Sequence, residues 1–205
     1  MANRTCVAAV ILAAGESRRM GHPKALILQH GVPALQHLID RLQDPRFVAR
    51  RVVLGSHADE IRKQVRDDPR NFLVNSTWEQ GQLSSLQIAI RSLDEAENGE
   101  DGILVWPVDH FLVTGVTIGA LIQSFLSSEK LIVVPKFHDR RGHPVIFAKK
   151  LYPELLAAPI EVGARAVVRA NANEILEVPT EEEAVVLNFN NPETLKRAIG
   201  ADADK

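Results

Sequence analysis

Val7-Ala-Ala-Val-Ile-Leu-Ala-Ala-Gly-Glu-Ser-Arg-Arg-Met-Gly-His-Pro-Lys24 is a continuous apolar run that gives way to a loop of small and basic residues. Residues 7–12, with β-branched side chains at 7, 10 and 11, suit a strand covered on both faces of a parallel sheet. The loop then leaves the strand at its C-terminal end, where open α/β sheets bind ligands. The small residues Ala13, Ala14 and Gly15 let the backbone approach a ligand, and glycine can turn successive N–H groups inward as an anion nest. Arg18, Arg19 and Lys24 add cations, with the arginine fork matched to phosphate oxygens. Neither common nucleotide fingerprint is present. Five residues separate Gly15 from Gly21 and no Gly-Lys-Ser/Thr follows, and the glycines stand singly rather than as G-x-G-x-x-G. The same composition also suits a basic surface loop whose glycines serve turns.

Outward from this stretch, short apolar runs alternate with amphipathic segments. Residues 52–55, 71–74, 103–107 and 131–135 read as further buried strands, two of them ending at a proline that marks the exit from a ladder. Between them, 34–42 places Leu35, Leu38, Ile39 and Leu42 on one helical face, and 83–93 does the same with Leu83, Leu86, Ile90 and Leu93. Helices are also expected at 59–66 and 116–126. This alternation predicts βαβ units and a mostly parallel sheet in a three-layer α/β/α, Rossmann-like arrangement. Beyond Pro135 the rhythm changes. A polar loop at 136–142 precedes a strand at 145–148 and helices near 151–156 and 164–169. Strands follow at 175–178 and 185–189, and a last helix starts at Pro192. The back half therefore reads as an elaboration with some antiparallel pairing. No linker or internal repeat interrupts the chain, so 1–205 is expected to be one domain.

Composition bounds the function classes. The 205 residues are 45% hydrophobic and 24% charged, an ordinary balance for a soluble globule and unlike a disordered chain. A chain of this size buries roughly 70% of its extended surface, enough for a core without disulfides. Lys and Arg total 24 against 26 Asp and Glu, for a net charge of −2. That argues against a nucleic-acid partner, which needs a basic excess, but leaves room for a nucleotide in a locally basic pocket. The lone Cys6 points to a reducing cytoplasm. No signal peptide is recognisable, and no apolar stretch approaches the roughly 20 residues that span a bilayer, so no membrane partner is expected.

Four further segments carry candidate chemistry. Gly81-Gln-Leu-Ser84-Ser85 precedes a helix, where the serines can cap while first-turn N–H groups face a ligand. Asp109 follows a buried strand, well placed either to hold a divalent ion against phosphates or to cap a turn. Arg140-Arg141-Gly142-His143-Pro144 precedes an apolar strand, and His143 could be a structural histidine. The stretch 187–193, Leu-Asn-Phe-Asn-Asn-Pro-Glu, places Asn188 and Asn190 near the C-terminus. Glu181, Glu182 and Glu183 read as a solvated turn, and the seven histidines have no zinc-site spacing.

Taken together, Leu-Ala-Ala-Gly-x-Ser-x-Arg-Met-Gly-x-Pro-Lys at 12–24 resembles the opening signature of the MobA-like nucleotidylyltransferases, whose fold is of the GT-A type found in nucleotide-diphospho-sugar transferases. The resemblance covers nearly the whole chain. It implies that residues 1–110 mainly bind the nucleoside triphosphate (NTP) and 111–205 mainly the acceptor. By position, Leu12, Ala13, Ala14 and Gly15 would line the nucleotide, with Arg19 and Lys24 on its phosphates and Gly81, Ser84 and Ser85 at the base. Asp109 and Asn190 would hold Mg²⁺ or Mn²⁺. Arg141, Gly142, His143 and Pro144 would face the acceptor, with Arg140 and Arg141 suited to a phosphorylated pterin. Phe111 replaces the family's usual second proline after Asp109. Ala13-Ala14 and Gly-His-Pro favour the molybdopterin cytidylyltransferase branch and CTP, whereas Asn188 and Asn190 lean towards GTP.

The activity implied is transfer of CMP from CTP to the phosphate of a molybdopterin-type acceptor with release of pyrophosphate. Arg19, Lys24 and Asp109 would carry the catalysis. The alternatives are a GTP-dependent guanylyltransferase, a sugar- or polyol-phosphate nucleotidylyltransferase, and a non-catalytic protein that delivers the cofactor. A molybdenum hydroxylase would be the partner that receives the product.

Overall fold

In the computed structural model, which describes residues 4–188, strand β1 (Val7–Ala13) is buried along its whole length. It runs parallel to a neighbour on each side, β4 (Phe47–Leu54) and β6 (Gly102–Pro107). A strand covered by helices on both faces must be apolar at every position rather than at alternate ones, which explains the unbroken run 7–13. The remaining main strands are β5 (Phe72–Val74), β7 (Ile132–Phe137), β9 (Val145–Ala148) and β10 (Ile175–Pro179). They complete the order β10-β7-β9-β6-β1-β4-β5. All pairings along it are parallel except those of β9, which is antiparallel to both β6 and β7. The expected mostly parallel α/β architecture with a small antiparallel elaboration is what the chain adopts.

Helices α1 (Ala34–Arg41), α2 (Ala58–Gln64) and α4 (Gly115–Ser127) stand among or beside the apolar side chains on one face of the sheet. Helices α3 (Gln82–Ala96), α5 (Tyr152–Ala157) and α6 (Arg165–Ala170) cover the other. Near the N-terminus, the Arg4 guanidinium donates to the carbonyls of Phe125, Ser128 and Lys130, at 3.2, 3.0 and 2.8 Å. It thereby satisfies carbonyls left open at the end of α4. No helix among the described residues is long and apolar enough to cross a membrane.

Four local expectations need correction. A short hairpin of β2 (Leu28–Gln29) and β3 (Val32–Pro33) stands where no strand was expected. It turns through His30 and Gly31, both at positive φ, the requirement of a tight two-residue hairpin turn. The polar loop 136–142 contains β8 (Arg140–Arg141), paired to the end of β7. The strand expected at 185–189 is instead a 3₁₀ turn at Glu183–Val185 over the described part, Phe189 lying outside it. Val185 is fully buried and packs with Val186 and Leu187 on the core, so this apolar run is a plug rather than a ladder. The helix expected from Pro192 lies outside the described residues. Glu182 is not a merely solvated turn residue either. Its carboxylate accepts from the Thr114 N–H at 2.7 Å and from the Thr114 and Thr117 hydroxyls, tying that turn to the start of α4.

Candidate functional site

At the C-terminal ends of β1 and β6 the chain opens a cavity of about 510 Å³. Its floor is Leu12, Ala13 and Ala14, all under 10% exposed, and its rim is Gly15. A Cβ on Gly15 would meet nothing within 4 Å, so this backbone faces open space. Arg18–Met20 forms a 3₁₀ turn with Arg19 at its centre, flanked by Ser17 and Gly21 at φ 57° and 72°. The Ser17 hydroxyl accepts from the Lys24 N–H at 3.0 Å and closes the loop. Arg18 is turned to Glu16, with Nε 2.5 Å from the carboxylate. Lys24 reaches inward, its Nζ 3.6 Å from Oδ2 of Asp109. Both Lys24 and Asp109 line the cavity. Asp109 is carried on the 3₁₀ turn Val108–His110 that follows β6.

The opposite wall is the β5–α3 connection, Trp78, Glu79, Gly81, Gln82 and Ser85. Gly81 sits at φ 98°, ψ −176°, a conformation essentially restricted to glycine. It precedes α3 directly, with no side chain capping that helix, so first-turn N–H groups remain for a ligand. The two serines do not cap. The Ser84 hydroxyl donates to the Gly81 carbonyl at 2.8 Å and accepts from Asn75 Nδ2 at 2.8 Å, and Ser85 accepts from the same nitrogen at 2.9 Å. Ser84 is buried behind the wall rather than on it, whereas Ser85 faces the cavity.

Sequence reasoning passed over Asn75 and Gly55. Asn75 is fully buried, and its carboxamide also accepts from the Thr77 N–H and hydroxyl at 2.9 and 3.0 Å, so one side chain braces the whole connection. A Cβ at Gly55 would lie 2.4 Å from the Ala14 carbonyl oxygen and 2.8 Å from Trp78 Cβ. Only glycine lets the two walls close at that point. A single Gly55 at the end of an apolar run was the available signal.

A second cavity, of about 330 Å³, adjoins the first and shares Leu12 and Gln82 with it. Its lining is largely apolar, from Leu83 and Leu86 of α3, Val145 and Phe147 of β9, and the turn 160–164. The polar exceptions are Gln82, His143, Glu161 and Arg165. Of the residues expected to face an acceptor, His143 lines this cavity. Arg141 instead pairs with Glu177, its Nε 2.7 Å from Oε1. Gly142 is packed under Val185, where a Cβ would come within 2.2 Å of the carbonyl oxygen. Pro144 is buried behind His143 on a cis peptide bond. Arg140 reaches the Val186 carbonyl at 3.4 Å. Arg165 and Glu161, on and beside a short helix to which no site residue was assigned, were missed.

His143 and His110 lie ring to ring, centroids 4.7 Å apart. Burial lowers the pKa of both. For His143 burial comes first and the neighbouring His110 second, and its pKa falls to about 4. Both rings are therefore neutral at physiological pH, so neither adds a charge to the site.

Mg²⁺ is usually held by one or two carboxylates plus substrate phosphates, rather than by an all-protein cage. Asp109 is an oxygen donor on the cavity wall and fits that pattern. No group of three His, Cys, Asp or Glu residues placed to hold a metal ion occurs among the described residues, and Asn190 lies outside them.

Comparison with known proteins places this geometry among relatives. Residues 9–175 match the profile of the MobA-like NTP transferase domain. Nicotine blue oxidoreductase of Paenarthrobacter nicotinovorans is 28% identical over 171 residues, covering 80% of this chain and 82% of that protein. The probable molybdenum cofactor guanylyltransferase of Pyrococcus horikoshii is 29% identical over 195 residues, 91% of this chain and 96% of that one. Among solved structures, Rv0371c from Mycobacterium tuberculosis H37Rv superimposes with a TM-score of 0.82 at 24% identity, covering 96% and 98% of the two chains. A further structure of that protein is a complex with manganese.

Proposed function

The chain belongs to the MobA-like NTP transferase family, and from that premise we propose that it transfers a nucleoside monophosphate from an NTP to the phosphate of a molybdopterin-type acceptor, releasing pyrophosphate. The observation that carries this reading is the pair of adjoining cavities. The larger presents Lys24, Asp109 and an uncapped helix start, the equipment for a triphosphate. The smaller presents an apolar slot with few polar groups. A sugar or polyol phosphate would leave several hydroxyls against that apolar wall without partners, at a cost for each. A flat pterin can lay its apolar faces against that wall and turn its polar edge towards Gln82, His143, Glu161 and Arg165. The larger cavity is lined by residues 12–109 alone, and all the lining drawn from beyond residue 110 belongs to the smaller. This supports the division into nucleotide and acceptor halves within one domain.

The acceptor phosphate monoester is largely dianionic at neutral pH, its second pKa being about 6, so the attacking oxygen needs no general base. What the chain must supply is position and charge compensation. Lys24 would stabilise charge on the triphosphate, Arg19 on the glycine loop would join it, and the wall from Trp78 to Ser85 would orient the base. Mg²⁺ or Mn²⁺, held by Asp109 and, as the sequence suggests, Asn190, would supply further neutralisation of phosphate oxygens when bound. CTP is the preferred donor in this reading, from Ala13-Ala14 and Gly142-His143-Pro144. GTP is the alternative, and the Pyrococcus relative's name agrees with it. The cytoplasm is the proposed compartment, consistent with the unpaired Cys6, and a molybdenum hydroxylase the proposed recipient of the product.

The test is to incubate the protein with each NTP, Mg²⁺ and molybdopterin and to follow pyrophosphate. Release with CTP or GTP is expected, whereas release only with a sugar 1-phosphate would replace the acceptor. A second reading, an oxidoreductase working in the same cleft, rests on the name of the Paenarthrobacter relative. Redox turnover without pyrophosphate would establish it.

A further inference from the structure

Leu12 and Gln82 line both cavities and so mark where they meet. Leu12 is a strand residue, 7% exposed, with no polar side-chain atom. Gln82 is different. It opens α3, is exposed, and its carboxamide has no hydrogen-bond partner among the described residues. Gln87, farther along the same helix, spends its carboxamide on the carbonyls of Leu155 and Leu156, at 3.2 and 3.1 Å. The backbone that carries Gln82 is also fixed from beneath, since Ser84 holds the Gly81 carbonyl and Asn75 holds Ser84. A side chain on a braced backbone with its donors unspent, at the junction of two cavities, is equipped for a ligand rather than for the fold.

We propose that Gln82 contacts both reacting phosphates, the α-phosphate from the larger cavity and the acceptor phosphate from the smaller. The proposal rests on the nucleotidyl-transfer reading above. In that reaction an acceptor phosphate oxygen forms a bond to the α-phosphorus. The bond from that phosphorus to the β-phosphate oxygen breaks, its electron pair leaves with pyrophosphate, and no proton moves. Two anions must therefore approach to about 3–3.5 Å. A carboxamide nitrogen carries two N–H donors and no net charge, so it can bind one oxygen of each anion at once. Lys24 and Asp109 line only the larger cavity and His143 and Arg165 only the smaller, so Gln82 is the polar side chain common to both.

The experiment compares wild type with Gln82→Ala, Gln82→Glu and Val162→Asp. Val162 lines only the smaller cavity and is 41% exposed. Affinities are measured by titration with CTP and, separately, with hydroxymethylpterin phosphate, both with Mg²⁺, and pyrophosphate release is followed with molybdopterin. Gln82→Glu sets a carboxylate against two anions and weakens both ligands at least about tenfold. Val162→Asp weakens the pterin phosphate alone. Gln82→Ala lowers kcat roughly ten- to a hundredfold with little change in CTP affinity, and Gln82→Glu lowers it further. Thermal melting stays at the wild-type value in both Gln82 variants, because the side chain supports no packing. Wild-type affinity of Gln82→Glu for either ligand, or wild-type kcat in Gln82→Ala, overturns the proposal. If wild type binds both ligands and releases no pyrophosphate, the transfer reading fails and takes the phosphate-bridging role with it. The affinities then still report whether Gln82 lies between the two ligands.

Discussion

Lys24 Nζ stands 3.6 Å from Asp109 Oδ2 on the wall of the larger cavity, with 16% and 18% of the two side chains exposed. Two segments 85 positions apart in the chain are thus brought together at the C-terminal edge of neighbouring parallel strands, where open α/β folds place ligands. A partly buried ammonium next to a carboxylate is a charge pair that a triphosphate can enter, with the ammonium turning to phosphate and the carboxylate to a cation.

Lys24→Ala is therefore expected to lower kcat roughly 10²- to 10³-fold while changing NTP affinity much less. Steady-state kinetics beside a direct NTP titration separates the two quantities. Equal losses in both would make Lys24 a ground-state binder rather than a group that stabilises developing charge. Asp109→Ala is expected to abolish metal-dependent turnover and leave the circular dichroism spectrum unchanged, and retained turnover would move the metal site elsewhere.

Two glycines predict opposite effects on stability. At Gly142 a Cβ would be forced to 2.2 Å from the Val185 carbonyl oxygen, a backbone atom that cannot swing aside, and Gly142→Ala should cost roughly 1–3 kcal/mol or more. Gly119 lies inside α4, where the nearest atom to a new Cβ is an Arg46 nitrogen at 3.8 Å. Gly119→Ala should therefore add about 0.5–1 kcal/mol through helix propensity. Urea midpoints of the two variants decide the matter, and a shift of the same sign in both would contradict the packing described.

The pH dependence follows from His143. Its folded pKa is lowered to about 4 by burial and then by His110, from an ordinary value of 6.5. Between those values the unfolded chain takes up a proton that the folded chain does not, so stability falls as pH falls through that window and is complete above it. By about pH 5 the loss from this group is on the order of 2 kcal/mol. His110, also lowered by burial, acts in the same direction, so the comparison is with His143→Gln. The variant should lose less stability than wild type between pH 7 and 5. Identical losses would mean that His143 titrates like an exposed histidine.

The parts of this fold visible in the sequence are those in which each residue reports its own environment. The run 7–12 is apolar at every position because β1 is covered on both faces, and the spacing of Leu35, Leu38 and Ile39 marks the buried side of α1. Arg140 and Arg141 form a strand only because β7 offers them a ladder, and no local propensity records that. The run 185–187 is as apolar as a strand, yet burial without an available edge makes it a plug. The site divides in the same way. Lys24 and Asp109 stand in motifs with a recognisable spacing. The places of Gln82 and Arg165 on the cavity walls come from the packing of separate segments, and Asn75 meets Ser84 and Ser85 only once the chain between them has folded back.

Asn75 supplies the last prediction. Its carboxamide holds Ser84, Ser85 and Thr77 at once, with nothing of the side chain exposed. Asn75→Ala leaves the buried Ser84 and Ser85 hydroxyls without their donor, at a cost of roughly 1–3 kcal/mol, and releases the exposed Thr77 turn. The loss is not confined to stability. The same network fixes Gly81 through Ser84, and Gly81 with Ser85 forms the wall of the larger cavity. The NTP would then bind a wall free to move, raising KM several-fold. Lys24 and Asp109, on the other side of the cavity, would be undisturbed, and kcat at saturating NTP should fall much less. Asn75→Asp keeps the acceptor oxygen for Thr77 and restores part of the Thr77 contact, but it cannot donate to the serines. It should therefore recover little of the KM. A variant with wild-type KM and a melting temperature lowered as expected would show that the brace serves the fold and not the nucleotide.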